Sequence, residues 1–230
     1  WDGDGDPSDI DVAASLDPAV GGVDTITTGT GDNLVIGGAA GDRIFAGTGT
    51  NVIAGDSARI VAAPVDGLQF GGLALTLGRV ETIAPGVGGV DHITGGSGAD
   101  VIFGGAYGDI IRAKDGTNLV IGDEGYIDWV VADEDPGDID EAASTDPEIG
   151  GIDTITAGVG DSLIIGGAFG DIITGGTVTN VIIGDGGKIT AAIADTDRFG
   201  GLDLTVGRVE TIAPEIGGID DITGGSGSDI

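Results

Sequence analysis

A polar residue, most often aspartate, returns every nine positions along this chain, and that phase limits what the chain can fold into. Asp24, Asn33, Asp42 and Asn51 form a first series. Asp91, Asp100, Asp109 and Asn118 form a second, and Asp153, Ser162, Asp171 and Asn180 a third. Asp220 and Asp229 open a fourth. Two residues after each member of the first series stands Ile26, Val35, Ile44 or Ile53, and the later series follow the same rule. Self-similarity at a fixed short period is the signature of stacked repeats, in which no unit buries its apolar face alone.

A longer period is laid over the short one. Gly78–Pro85 (GRVETIAP) returns at Gly207–Pro214, and Phe70–Leu73 (FGGL) at Phe199–Leu202, both 129 residues on. Pro7–Gly22 matches Pro136–Gly151 at the same offset. Each full nine-residue series closes on a Gly-Asp step at Asp56, Asp123 or Asp185, and an apolar residue follows four places later at Ile60, Ile127 or Ile189. The chain therefore divides into an acidic insert at 1–20, a nonapeptide block at 21–60 and a β-rich insert at 61–87. A second block at 88–127, an acidic insert at 128–149 and a third block at 150–189 follow. A β-rich insert at 190–216 and the start of a fourth block at 217–230 complete it. The stretch LALTLGRVETI reads as a strand, so the β-rich inserts are expected to extend the ladder or form lateral β-arms. The acidic inserts read as solvated loops. Beginning inside an insert and stopping inside a repeat, the sequence reads as a piece of a longer array.

Composition narrows the class. There are 49 Gly, no Cys and no Met, and 39 Asp plus Glu stand against 8 Lys plus Arg, a formal net charge of −31. Mean hydropathy is nevertheless +0.27, and disorder needs low hydropathy as well as high charge. The apolar residues are mostly Ile, Val, Leu and Ala, which suit thin β-rich cores. Nucleic acid is excluded as a partner, because phosphate recognition needs clustered cations. No apolar run reaches membrane-spanning length, so membrane insertion is not expected. The acid reads either as a solvating surface, as in a halophilic protein, or as ligands for a hard cation.

The most regular unit, Gly95-Gly-Ser-Gly-Ala-Asp100-Val-Ile-Phe103, fits the pattern G-G-x-G-x-D-x-U-x, with U a large apolar residue, and Gly224–Asp229 begins another. Glycines allow tight turns whose carbonyls converge, aspartate adds a charged oxygen, and calcium takes six to eight such oxygens. The residues after Asp make a short strand with one inward side chain. These units resemble the repeats-in-toxin (RTX), hemolysin-type calcium-binding family. The resemblance implies an all-β parallel β-roll or β-solenoid, with the inserts as β-arms or loops between blocks. It also implies several bound Ca2+ ions, held between turns stacked on the same side. Alternate units share a side, so Asp24 stacks with Asp42, Asp91 with Asp109, and Asp153 with Asp171. The other side carries Asn33 with Asn51, Asp100 with Asn118, and Ser162 with Asn180. One calcium-rich edge and one weaker edge are expected. The candidate ligands are Asp24, Asp42, Asp91, Asp100, Asp109, Asp153, Asp171, Asp220 and Asp229, with Asp56, Asp123 and Asp185 at the block ends. The turns at Gly37, Gly104 and Gly166 depart from the pattern. They place Ala40, Tyr107 and Phe169 where the family has its third glycine, and are expected to differ in shape.

Other motifs give less. Asp2, Asp4 and Asp6 open like an EF-hand loop, but Pro7 and Ala13 stand where that loop needs Gly and Glu. His92 is the only histidine and Asp221 replaces it in the next copy, so zinc chemistry has no ligand set. The carboxylates recur periodically rather than as one asymmetric pair, which argues against glycosidase chemistry and against an enzyme. The threonines near DTIT form no long regular face in the sequence. Glu81 beside Arg79, and Glu210 beside Arg208, read as surface ion pairs, and Trp1 and Trp129 as packing or contact residues. The functional expectation is an extracellular or cell-surface calcium-binding structural or adhesive protein that self-associates into filaments or layers. The alternatives are an accessory module of a secreted enzyme, or a halophilic solenoid that needs no calcium.

Overall fold

The computed structural model describes residues 8–65, 67–133, 135–192 and 198–230. Asp2, Asp4, Asp6 and Trp1 lie outside the described residues. Among the described residues there are strands and turns and no helix. The strands form three sheets. An outer sheet of seven parallel strands takes Thr25–Thr27, Arg43–Phe45, His92–Thr94, Ile110–Lys114, Thr154–Ala157, Ile172–Thr174 and Asp221–Thr223. A middle sheet of six parallel strands takes Asn33–Ile36, Asn51–Ala54, Asp100–Phe103, Asn118–Ile121, Ser162–Gly167 and Asn180–Asp185. Within each block the chain passes alternately between these two sheets, one nonapeptide per strand. That is the structural content of the nine-residue phase: half of the unit turns, and the other half crosses one sheet.

The inserts build the third sheet. It is antiparallel and seven-stranded, ordered Val12–Ala14, Ala58–Ala62, Leu77–Thr82, Gly125–Asp128, Glu141–Ser144, Gly187–Ala191 and Val206–Thr211. The strand expected in LALTLGRVETI is present as Leu77–Thr82. The acidic inserts correct the expectation of solvated loops. Each supplies a strand to this sheet, and Asp138 and Asp140 are buried. The reason lies in their Ile10, Ala13, Ile139 and Ala142, which pack on the core although the segments around them are acidic.

Two apolar layers result. Ile44, Ile53, Ile93, Ile102, Ile111, Val120, Ile155, Ile164 and Ile173 fill the space between the outer and middle sheets. These are the residues two places after each polar member of the series. A second layer lies between the middle sheet and the insert sheet, with Val52, Val101, Leu119, Leu163 and Val181 facing Ile60, Val80, Ile127 and Ile189. The middle sheet is therefore covered on both faces, and its strands read as continuous apolar runs, as parallel strands buried on two sides do. Trp129 closes this second layer. The exposed face of the insert sheet carries the expected ion pairs, Arg79–Glu81 at 2.8 Å and Arg208–Glu210 at 2.5 Å. It also carries Lys188–Glu141 at 2.7 Å. Such surface pairs contribute about 0–1 kcal/mol each.

Candidate metal centre

The turns that lead into the outer sheet stack into one edge, and a single column of aspartates runs along it. Asp24, Asp42, Asp91, Asp109, Asp153, Asp171 and Asp220 each stand one residue before, or at the start of, an outer strand. Each one's backbone N–H donates to Oδ1 of the next, at 2.5 to 2.9 Å. The expected stacks Asp24–Asp42, Asp91–Asp109 and Asp153–Asp171 are thus all formed. They are also joined across the inserts, Asp42 to Asp91, Asp109 to Asp153 and Asp171 to Asp220. The inserts leave this edge uninterrupted because they fold back into their own sheet.

The second carboxylate oxygen is the informative one. Oδ2 of Asp42, Asp91, Asp109, Asp153 and Asp171 is buried and has no hydrogen-bond partner. A buried oxygen with a full charge and no partner is strongly disfavoured, and five in a column need one common explanation. Burial drives these carboxyls up from their ordinary range, with neighbouring aspartates adding repulsion. Asp91 and Asp171 rise to about 7 and Asp153 to about 8. Asp42 is raised and Asp109 raised well above the usual value, again chiefly by burial.

Backbone carbonyls converge on the same places. A Cβ added at Gly104 would meet the Gly122 carbonyl oxygen at 2.1 Å and Asp109 Oδ2 at 2.4 Å. At Gly37 it would meet the Gly55 carbonyl at 2.2 Å and Asp42 Oδ2 at 2.5 Å, and at Gly166 the Gly184 carbonyl at 2.1 Å and Asp171 Oδ2 at 2.4 Å. Gly122 repeats the arrangement with Asp153 Oδ2 and the Gly166 carbonyl. Each glycine thus leaves room where a carboxylate oxygen of one turn and a carbonyl oxygen of the next come together. Charged and carbonyl oxygens are the donors that calcium takes. Among the described residues no three His, Cys, Asp or Glu side chains form a metal-binding group. The donor set here is one carboxylate column with peptide carbonyls, and these residues fit calcium.

The irregular turns, which bear Asp42, Asp109 and Asp171 of this column, do differ in shape. Ala40, Tyr107 and Phe169 hold φ of 80°, 74° and 73°, and Gly38, Gly105 and Gly167 are also left-handed. The regular turn at Gly95–Asp100 has no left-handed residue. Non-glycine residues in this region are uncommon, so the stacked turns force the conformation that glycine would take freely.

The opposite edge is polar and mostly satisfied within itself, with two exceptions at its centre. Asn33 Nδ2 donates to Asn51 Oδ1 at 2.7 Å, Asn51 Nδ2 to Asp100 Oδ1 at 2.7 Å, and Asn180 Nδ2 to Asp229 Oδ1 at 2.7 Å. Asp100 Oδ2 accepts from the Gly96 amide at 2.6 Å, so both its oxygens are engaged, and burial still raises it to about 6. Ser162 and Asn118 pair in register, and each has a buried oxygen without a partner.

The block-end aspartates anchor turns. Asp56 accepts from the amides of Gly89 at 3.1 Å and Ala106 at 2.7 Å. Asp123 accepts from Gly151 and Ala168, and Asp185 from Gly218 at 2.8 Å. Burial raises Asp56 to about 8 and Asp123 to about 10. Asp32 and Asp161 do the same work on the other edge and were not singled out in the sequence. Asp32 accepts from Thr50 at 2.6 Å and Gly72 at 2.5 Å, and Asp161 from Thr179 at 3.0 Å. Their shared place in the 129-residue period is the signal that could have found them.

The RTX calcium-binding nonapeptide repeat matches in four copies, at residues 19–53, 85–116, 103–125 and 149–182. No curated protein and no solved structure matches the chain.

Proposed function

Because this chain belongs to the RTX calcium-binding nonapeptide repeat family, we propose that it is a structural or adhesive segment of an extracellular repeat protein whose β-roll folds and rigidifies when calcium fills its aspartate edge. It binds calcium as a repeat protein. The observation that carries the finer reading is the column of five buried Oδ2 atoms without partners, from Asp42 to Asp171. The ions are assigned to that edge, with Asp24 and Asp220 as its ends. Asp56, Asp123, Asp185 and Asp100 are assigned to turn anchoring, since backbone amides or Asn51 already engage them.

Physiology follows from the charge. Without a divalent cation the stacked carboxylates repel one another and are stripped of water, so the edge opposes folding. Binding free energy is then folding free energy. Calcium-poor cytoplasm would leave the chain loose, and a calcium-rich exterior would lock it. The periodic carboxylates present no asymmetric acid–base pair, so the reading assigns the chain no catalysis. Self-association into filaments or layers belongs to the same proposal.

Circular dichroism and thermal melting in EGTA, in added calcium and in added magnesium, at one ionic strength, test this. Calcium is expected to raise the β signal and the melting temperature far more than magnesium does. Indifference to calcium at fixed ionic strength would favour the salt-dependent halophilic alternative and end the calcium account.

A further inference from the structure

Five of the eight Lys and Arg side chains, Arg59, Arg79, Lys188, Arg198 and Arg208, are spent in ion pairs on the insert sheet or its connections. The other three, Arg43, Arg112 and Lys114, form no ion pair among the described residues. All three are exposed; Arg43 and Arg112 lie on the outward face of the outer sheet, while the strand register shifts between Arg112 and Lys114. His92, the only histidine, shares that face. Parallel register sets Arg43 beside His92, and Thr94 between Phe45 and Arg112. In a chain of net charge −31, two of the three cations outside ion pairs thus share one face.

The fold does not require them. One period later Ile172 stands for Arg43, Thr174 for Phe45 and Asp221 for His92, and the same strands form. Asp221, in the last strand, is the only acid among the outward first and third positions of these strands. Phe45 remains 41% exposed beside the cations. Threonine hydroxyls flank the patch at Thr27, Thr94, Thr154 and Thr156.

From this juxtaposition we propose that the outward face of the outer sheet, centred on Arg43, Phe45, His92, Thr94 and Arg112, binds a linear anionic polysaccharide. Neighbouring strands lie about 4.8 Å apart, so Arg43 and Arg112 are about 10 Å apart along the ladder. That is an open track for an extended chain rather than a pocket. Guanidinium groups pair with carboxylate or sulfate, the exposed ring offers a sugar a flat apolar surface, and the hydroxyls satisfy its polar rim. A duplex nucleic acid carries a charge about every 1.7 Å of axis and is broad enough to meet the acidic edges, so it is the poorer fit. The inference rests on the calcium reading in one respect: the aspartate column beside Arg43 and His92 must be neutralised by ions.

The test is affinity electrophoresis of the calcium-loaded chain through gels containing chondroitin sulfate, with dextran as neutral control and circular dichroism to verify folding. Retardation by chondroitin sulfate and not by dextran is expected. R43Q/R112Q should weaken it at least tenfold with the fold intact, while R208Q on the insert sheet leaves it unchanged. No retardation of the folded wild-type chain, or equal retardation of R43Q/R112Q, overturns the proposal. So does equal retardation by poly-glutamate, which would mark a site for acidic polypeptides. Self-association lost in R43Q/R112Q, with no glycan retardation, would make the face a contact between copies. A chain folded in EGTA that still binds the glycan would separate this face from the calcium account and refute only the latter.

Discussion

The backbone N–H of Asp109 donates to Asp153 Oδ1 at 2.7 Å, across 44 residues that include a whole acidic insert. The bond joins two nonapeptide blocks as if no insert lay between them. The ladder is therefore the continuous element, and what disturbs it at one rung should be felt at the next.

Asp109 sits at the centre of that ladder, fully buried, with one oxygen bonded and one bare. Asp109→Asn keeps the shape and removes the charge. In EGTA the variant should be more stable than the wild type, because a buried, mutually repelled carboxylate is gone. In calcium the order should reverse, because a charged ligand is gone too. Paired thermal melts read both signs. A variant destabilised equally in both conditions would show that Asp109 serves only packing.

Acid should partly replace calcium. Asp91, Asp153 and Asp171 have folded-state values near 7 to 8 against about 3.8 in the open chain. A raised carboxyl contributes stability that is complete below the unfolded value and lost as pH climbs through the folded one. The calcium-free protein should lose stability steadily between about pH 4 and pH 8. The calcium-bound protein should not, and proton release on calcium binding should be measurable over the same interval. A calcium-free melting temperature that rises toward pH 8 would contradict these assignments.

Glycine is needed where oxygens converge. Gly104→Ala would set a Cβ 2.1 Å from the Gly122 carbonyl and 2.4 Å from Asp109 Oδ2. A loss of about 2–4 kcal/mol and of calcium response is expected, in the range of core overpacking and broken networks. At Gly22 nothing lies within 4 Å, so Gly22→Ala should stay within about 0.5 kcal/mol. Denaturant titrations in calcium compare the two.

Tyr107 holds φ of 74°. A left-handed non-glycine residue costs about 1–2 kcal/mol, partly offset by the extra freedom that glycine gives the unfolded chain. Tyr107→Gly should match or exceed the wild type in stability, and Tyr107→Val should fall below it. The reverse order would mean that the tyrosine ring, half-exposed as it is, supplies more than the backbone loses.

Much of this was legible in the nine-residue phase. Ile44, Ile102, Ile111 and Ile164 read as inward residues and are fully buried, and the pairing of alternate units follows from the same count. The second layer was not legible. Val52, Val101 and Leu119 read as outward positions of short strands, yet they are buried beneath the insert sheet. Their burial depends on antiparallel pairing between segments far apart in sequence, such as Arg79 with Asp128, which no local period encodes. The aspartates separated in the same way. Asp56 and Asp42 look alike in sequence, and only the amides of Gly89 and Ala106 distinguish the anchor from the rung with a bare oxygen.

The most direct measurement is a crystal structure grown in calcium, with anomalous diffraction used to place the ions. Ions are predicted between successive rungs from Asp24 to Asp220, each contacting an Oδ2 and a glycine carbonyl, with none along the edge from Asn33 to Asp229. Ions on the asparagine edge, or an aspartate edge empty at millimolar calcium, would contradict the account.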